Sequence, residues 1–164
     1  MRVGRGRLTH VDRGGRVRMV DVGDKPVTAR EAVARGAITM TAAARRAIRT
    51  GAVAKGDPLQ AARLAGIMAA KRTAEIVPLC HPLPLTHVAI DLRARRDGYE
   101  IVARVRTSAQ TGVEMEALTA VAAAALTVYD MLKAVDRTMV IGEIRLMEKR
   151  GGRSGTYRRT AQGT

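Results

Sequence analysis

Hydrophobic and polar positions change period several times along the chain. Val88, Ile90 and Leu92 alternate with Ala89, Asp91 and Arg93, and Ile101, Ala103 and Val105 resume the alternation after Arg95-Arg96-Asp97-Gly98. Two period-2 runs around a glycine-bearing turn predict a β-hairpin. A third strand is predicted over Met139–Met147. Residues 27–40 are ambiguous, because alanine there permits a helix, but the alternation favours a strand. Helical signals are sharper. Thr41 is placed to cap an alanine- and arginine-rich helix that stops at Gly51. Asp57-Pro58 opens a second helix, expected to reach Glu75, with Leu59, Ala62, Gly66, Ile67 and Ala70 as its buried stripe. Gly66 in a helix interior signals a close neighbour, since glycine costs about 1 kcal/mol there relative to alanine. The capping-box pattern Thr111-Gly112-Val113-Glu114 opens the longest helix, expected to reach Val135. Its face carries Val121, Ala125, Val128 and Leu132. These elements predict an α+β fold, an antiparallel sheet with helices packed on it.

Composition changes little in that picture. At 164 residues and 46% hydrophobic, the chain suits one domain, 1–164. Residues 1–16 and 150–164, basic and glycine-rich, read as mobile ends. No apolar run is seen to approach the roughly 18 residues of a membrane span. No apolar stretch follows the basic start, so a cytoplasmic protein without membrane contact is expected. The single cysteine, Cys80, rules out an internal disulfide and any site built on several thiolates.

Charge narrows the partner. The net charge of +14 calls for a polyanion. Phe and Trp are absent and Tyr occurs three times, so base stacking has almost no platform. A basic nucleic-acid-binding or structural protein therefore stays a second reading, limited to phosphate contacts. Only five of the 29 basic residues are lysine. In so arginine-rich a chain, a lysine is a candidate for chemistry that guanidinium cannot do.

Three places concentrate polar residues that a core would not require. Prolines 78, 82 and 84 stiffen the loop holding Cys80 and His81. His81 is thus pre-positioned, either for ligand or proton or merely to satisfy a loop carbonyl. A metal on the Cys80–His81 pair lacks further ligands at suitable spacing. Glu114 suits helix capping, whereas Glu116 has no such role and can accept two N–H bonds from a guanine- or pterin-like edge. Asp130 and Lys133, three apart on a helix, share a face as an ion pair or an acid–base pair. Lys55 sits beside a helix start, a natural place for phosphate. The tail 149–155 is basic and is not a phosphate-binding loop of the Walker type.

The stretches LTHVDRGGRVRMVDV (8–22), KGDPLQAARLAGIMAAKRTAEIVPLCHPLPL (55–85), TGVEMEALTAVAAAALTVYDMLKAVD (111–136) and KRGGRSG (149–155) closely resemble the molybdenum cofactor biosynthesis protein C family. The resemblance covers about residues 8–155. It implies a ferredoxin-like α+β fold and a hexamer of three dimers with sites at the dimer interface. It implies a lyase that converts 3′,8-cyclo-7,8-dihydro-GTP to cyclic pyranopterin monophosphate and releases pyrophosphate. No cofactor is required by that chemistry, and Mg2+ can accompany the triphosphate. By matching position, Asp130 and Lys133 are implied as catalytic. Leu79, Cys80, His81, Met115 and Glu116, with Glu114 beside them, are implied as substrate-binding. Lys55, Lys149 and Arg30 match further basic positions. Arg153 stands where many relatives carry lysine, which keeps charge but weakens any proton-transfer role there.

Overall fold

A computed structural model describes residues 14–160. The outermost parts of both basic ends, 1–13 and 161–164, where mobility is expected, lie outside the described residues. The ambiguous stretch is a strand, β1 (Thr28–Thr39), followed by α1 (Ala42–Thr50), α2 (Pro58–Lys71) and a single turn, α3 (Thr73–Ile76). The predicted hairpin is β2 (Leu85–Arg95) and β3 (Gly98–Ala109). It leads into α4 (Glu114–Leu132), β4 (Val140–Arg150) and β5 (Tyr157–Arg158).

Thr41 caps α1 by accepting from the Ala44 N–H, and Gly51 closes it in the left-handed region at φ 70°. Asp57 accepts from the Leu59 and Gln60 N–H groups at the head of α2. That helix stops four residues before the expected Glu75. The Thr73 hydroxyl donates to the Ala69 and Ala70 carbonyls, and Arg72 leaves helical geometry at φ −114°. Likewise α4 ends at Leu132 rather than Val135.

All strand pairs are antiparallel, in the order β2-β3-β1-β4-β5. The chain order β-α-β-β-α-β with β1 between β3 and β4 is the ferredoxin-like arrangement. α2 and α4 pack together on one face of the sheet. The core joins Ile38, Ile101 and Val105 from the sheet to Val121, Val128 and Leu132 from α4, all fully buried. Alanines and Gly66 let the helices sit close. A Cβ on Gly66 would stand 3.0 Å from the Ala120 carbonyl oxygen. Contrary to the sequence reading, α4 is long and apolar enough to cross a membrane, at a mean hydropathy of 1.4. Its eight buried residues, Glu116 among them, are instead taken up by the sheet and α2.

The register fixes where chemistry can gather. Thr28 pairs with Ala109, Glu31 with Arg150 and Leu85 with Thr107. The start of β1, the ends of β3 and β4 and the proline loop therefore meet at one end of the sheet, where α4 begins. The last turn of α4 and the loop before α2 meet at the other.

Candidate active site

A cleft of about 380 Å³ opens at the head of α4. Its floor is the proline loop. The Cys80 N–H donates to the Val77 carbonyl at 3.0 Å, and the Thr107 hydroxyl donates to the Pro84 carbonyl at 2.7 Å, which ties the loop to β3. Leu79, Cys80 and His81 line one wall, and Glu114, Met115 and Glu116 another. The structure thus brings together two groups of predicted residues separated by more than thirty positions. The capping box of Thr111 and Glu114 does not form. Val113 stands at the N-cap without a side-chain bond, and the Glu114 carboxylate folds back over Gly112 toward the cleft.

Glu116 is 4% exposed, and its Oε2 atom is buried without a hydrogen-bond partner. Burial, reinforced by the neighbouring Glu114 charge, pushes its carboxyl up to about 7. A buried acceptor left unsatisfied is costly until something donates to it. Cys80 is held as a thiol, its pKa raised by burial and by Glu116, so thiolate attack is disfavoured.

Beside the cleft lies a second, basic cavity of about 940 Å³, lined by Lys25, Arg30 and Arg153. Lys25 and Thr111 border both cavities. The Arg30 guanidinium donates from Nε to the Ala109 carbonyl and from Nη2 to the Gln110 carbonyl, each at 2.9 Å. The tail expected to be mobile is folded over it as a β4–β5 connection. Gly151 and Gly152 are left-handed, at φ 88° and 75°. A side chain on Gly152 would strike the Arg30 guanidinium, so glycine permits that close approach. The Gly155 N–H closes the turn on the Gly152 carbonyl at 3.1 Å. Lys149, on β4, donates to the Ser154 hydroxyl within the same connection.

The third group stands apart. Asp130 receives Lys133 on Oδ1 and Lys55 on Oδ2, each at 2.7 Å, and all three side chains are about half exposed. The hydrogen bond from Lys133, then that from Lys55, holds the Asp130 carboxyl down at about 2. It is ionised at neutral pH and, as placed, orients two ammonium groups more readily than it takes a proton. Fourteen residues of helix separate Glu116 from Asp130, roughly 21 Å at 1.5 Å per residue. Within one chain the predicted site residues fall into two groups at opposite ends of α4.

Two contributors were passed over in the sequence. Lys25 lies outside the long motif segments except as one of the five lysines, and that scarcity was the signal available. Asp136 is buried at 5% exposure and accepts from the Thr41 N–H at 2.7 Å and from the Thr138 N–H and hydroxyl at 2.9 and 2.7 Å. It clamps the start of α1 to the segment after α4, next to Lys133. No periodicity marks it.

Comparison with known proteins shows the family. The MoaC family model matches residues 19–152. A protein of Thermomicrobium roseum named cyclic pyranopterin monophosphate synthase is 63% identical over 154 residues, covering 93% of each chain. One of the same name from Chloroflexus aggregans is 60% identical over 93% of each chain. Another from Cereibacter sphaeroides is 57% identical over 94% of this chain and 98% of its own. The matched residues run through the cleft and the Asp130 cluster to the start of the basic connection, and on that ground the chain belongs to the MoaC family.

Proposed function

We propose that this chain is a cyclic pyranopterin monophosphate synthase acting in molybdenum cofactor biosynthesis. Its substrate is 3′,8-cyclo-7,8-dihydro-GTP. The observation that carries the reading is the junction of two unlike cavities. One holds Glu116, a buried carboxyl whose Oε2 has no partner, suited to ring N–H donors. The other presents Lys25, Arg30 and Arg153, suited to a triphosphate. A guanine-derived ring carrying a phosphate chain needs both, side by side.

The ring lies against Leu79, Cys80, His81, Met115 and Glu116, and the triphosphate extends toward Arg30, Arg153 and Lys149. His81 lines the same cleft as a candidate proton carrier. Closing the cyclic phosphate is an internal displacement. A substrate hydroxyl gives up its proton to solvent as its oxygen bonds to the α-phosphorus, the bond to the bridging oxygen breaks, and pyrophosphate leaves with that oxygen's electron pair. Positioned cations stabilise such a transfer. No resident cofactor is needed, and Mg2+ travels with the triphosphate.

Lys55, Asp130 and Lys133 lie too far along α4 to reach the ring bound by the same chain. The reading therefore places them in the cleft of a partner copy. Each site then takes one half from each protomer of a dimer, and three dimers form a hexamer. The enzyme works in the cytoplasm alongside its nucleotide-derived substrate.

Incubation with 3′,8-cyclo-7,8-dihydro-GTP and assay for pyrophosphate tests the activity. Release of pyrophosphate together with cyclic pyranopterin monophosphate is expected. Intact substrate after prolonged incubation with folded protein would sink the assignment.

A further inference from the structure

The segment Val20–Pro26 runs across the cleft as an exposed strap. Val20 and Val22 line the cleft, Asp24 and Pro26 line the basic cavity, and Lys25 borders both. Its shape comes from two local bonds. The Gly23 N–H donates to Asp21 Oδ1 at 2.8 Å, and the Lys25 N–H donates to the Val22 carbonyl at 3.0 Å. These bend the strap but do not anchor it to the domain.

Gln110 does. Its Nε2 donates to the Gly23 carbonyl at 2.9 Å, across 87 positions of sequence. Gln110 is itself well fixed, because its own carbonyl receives Arg30 Nη2 at 2.9 Å while Arg30 Nε holds the preceding Ala109 carbonyl. A rigid chain of contacts thus runs from β1 through Arg30 and Gln110 to the strap turn that carries Lys25. Lysine loses much side-chain and backbone freedom when it must hold an anion in place, and fixing the backbone beforehand lowers that cost.

We infer that Gln110 is a positioning residue: by holding the Gly23 carbonyl it sets Lys25 at the mouth between the two cavities, so that phosphate and ring are held in one frame. The inference rests on the proposed reading of both cavities as a single ligand site. It assigns Gln110 no contact with the reacting atoms. Gln110 acts through Lys25, so its loss should weaken binding of the phosphate chain without slowing the chemical step.

The test uses inorganic tripolyphosphate as the probe, with Gln110→Met, which keeps length and removes the donor, and Gln110→Asn, which keeps the amide but withdraws its reach. Calorimetry should show binding weakened about tenfold in each, the scale of one lost hydrogen bond to a positioned group. Turnover should show KM raised by a similar factor with kcat within about twofold. The decisive arm is a double-mutant cycle with Lys25→Ala. If Gln110 acts through Lys25, Gln110→Met adds little to the loss already caused by Lys25→Ala. Independent, multiplying losses would overturn the inference, as would unchanged tripolyphosphate binding in both folded Gln110 variants. Wild-type protein that bound no tripolyphosphate would bring down the reading of the basic cavity itself, and this inference with it.

Discussion

Lys55 and Asp130, 75 positions apart in the sequence, meet at 2.7 Å through Nζ and Oδ2. The bond gives Asp130 a second cation besides Lys133, its neighbour along the helix. The three residues form a unit in which one carboxylate spreads two ammonium groups over a half-exposed surface. Such pairs add little to folding in water, and on the proposed reading the cluster acts on the ligand of a partner copy.

Asp130→Asn removes the anion that orients both lysines. Turnover should fall about 100-fold or more, the scale of a misplaced acid–base group. Thermal melting should stay at the wild-type value, because the cluster is exposed. Lys133→Arg keeps the charge but cannot act as a neutral base. It should be folded, of wild-type assembly size and close to inactive. Near-normal turnover in that variant would reduce Lys133 to a source of charge.

If each site joins halves from two protomers, two variants that are each impaired at substrate well below KM, one in binding and one in chemistry, should rescue one another. Glu116→Gln and Lys133→Arg chains, unfolded together and refolded, would form mixed dimers with one intact site and one doubly altered. Random pairing gives about one quarter of wild-type activity from a two-fold interface. Light scattering on the same sample should give several times the 17.6 kDa chain mass. Activity no higher than that of the separate variants would show that each protomer carries a whole site.

Glu116 makes ligand binding depend on pH near neutrality. Its carboxyl, raised from an ordinary 4.5 to about 7, must be ionised to accept two ring N–H donors. Affinity for a guanine nucleotide should therefore weaken about tenfold from pH 8 to pH 6, following the ionised fraction. Glu116→Gln should bind more weakly at pH 8 and lose this dependence. The folding effect has the opposite sense. The native state holds this proton more tightly than the unfolded chain, so the contribution is complete below about 4.5 and is lost as pH rises through about 7. Glu116→Gln should accordingly melt higher than wild type at pH 8. A flat binding profile in wild type would remove Glu116 from the ring pocket.

Asp136 should show the reverse pH behaviour. The Thr41 N–H and then the Thr138 hydroxyl draw its carboxyl from 3.8 to about 2. The stability it confers is present above about 3.8 and fades as pH falls toward 2. Asp136→Ala leaves the Thr41 and Thr138 donors unpaired and should cost roughly 1–3 kcal/mol, read as a lower denaturation midpoint at pH 7. The difference from wild type should shrink in acid.

The sequence by itself determined the elements whose causes are local. Asp57-Pro58 and Thr41 set helix starts, Gly51 a helix end, and the alternation around Arg95–Gly98 a hairpin, because caps, turns and period act within a few residues. Gly66 announced a close helix contact, and the Ala120 carbonyl is what it meets. The motif residues were marked by the family resemblance, which needs no fold. Only the tertiary structure decided how they group. Sheet register carries Arg30, His81 and Glu116 to one end of α4 and leaves Asp130 at the other, although all belong to equally distinctive stretches. Thr111 and Glu114 matched a capping pattern, yet both line the cleft, because a side chain at a helix head can turn to the cavity beside it as well as to the backbone. Lys25, Gln110 and Asp136 gave no local sign. Their partners, Gly23 for Gln110 and Thr41 for Asp136, lie 87 and 95 positions away, and contacts at that distance exist only once the chain has closed.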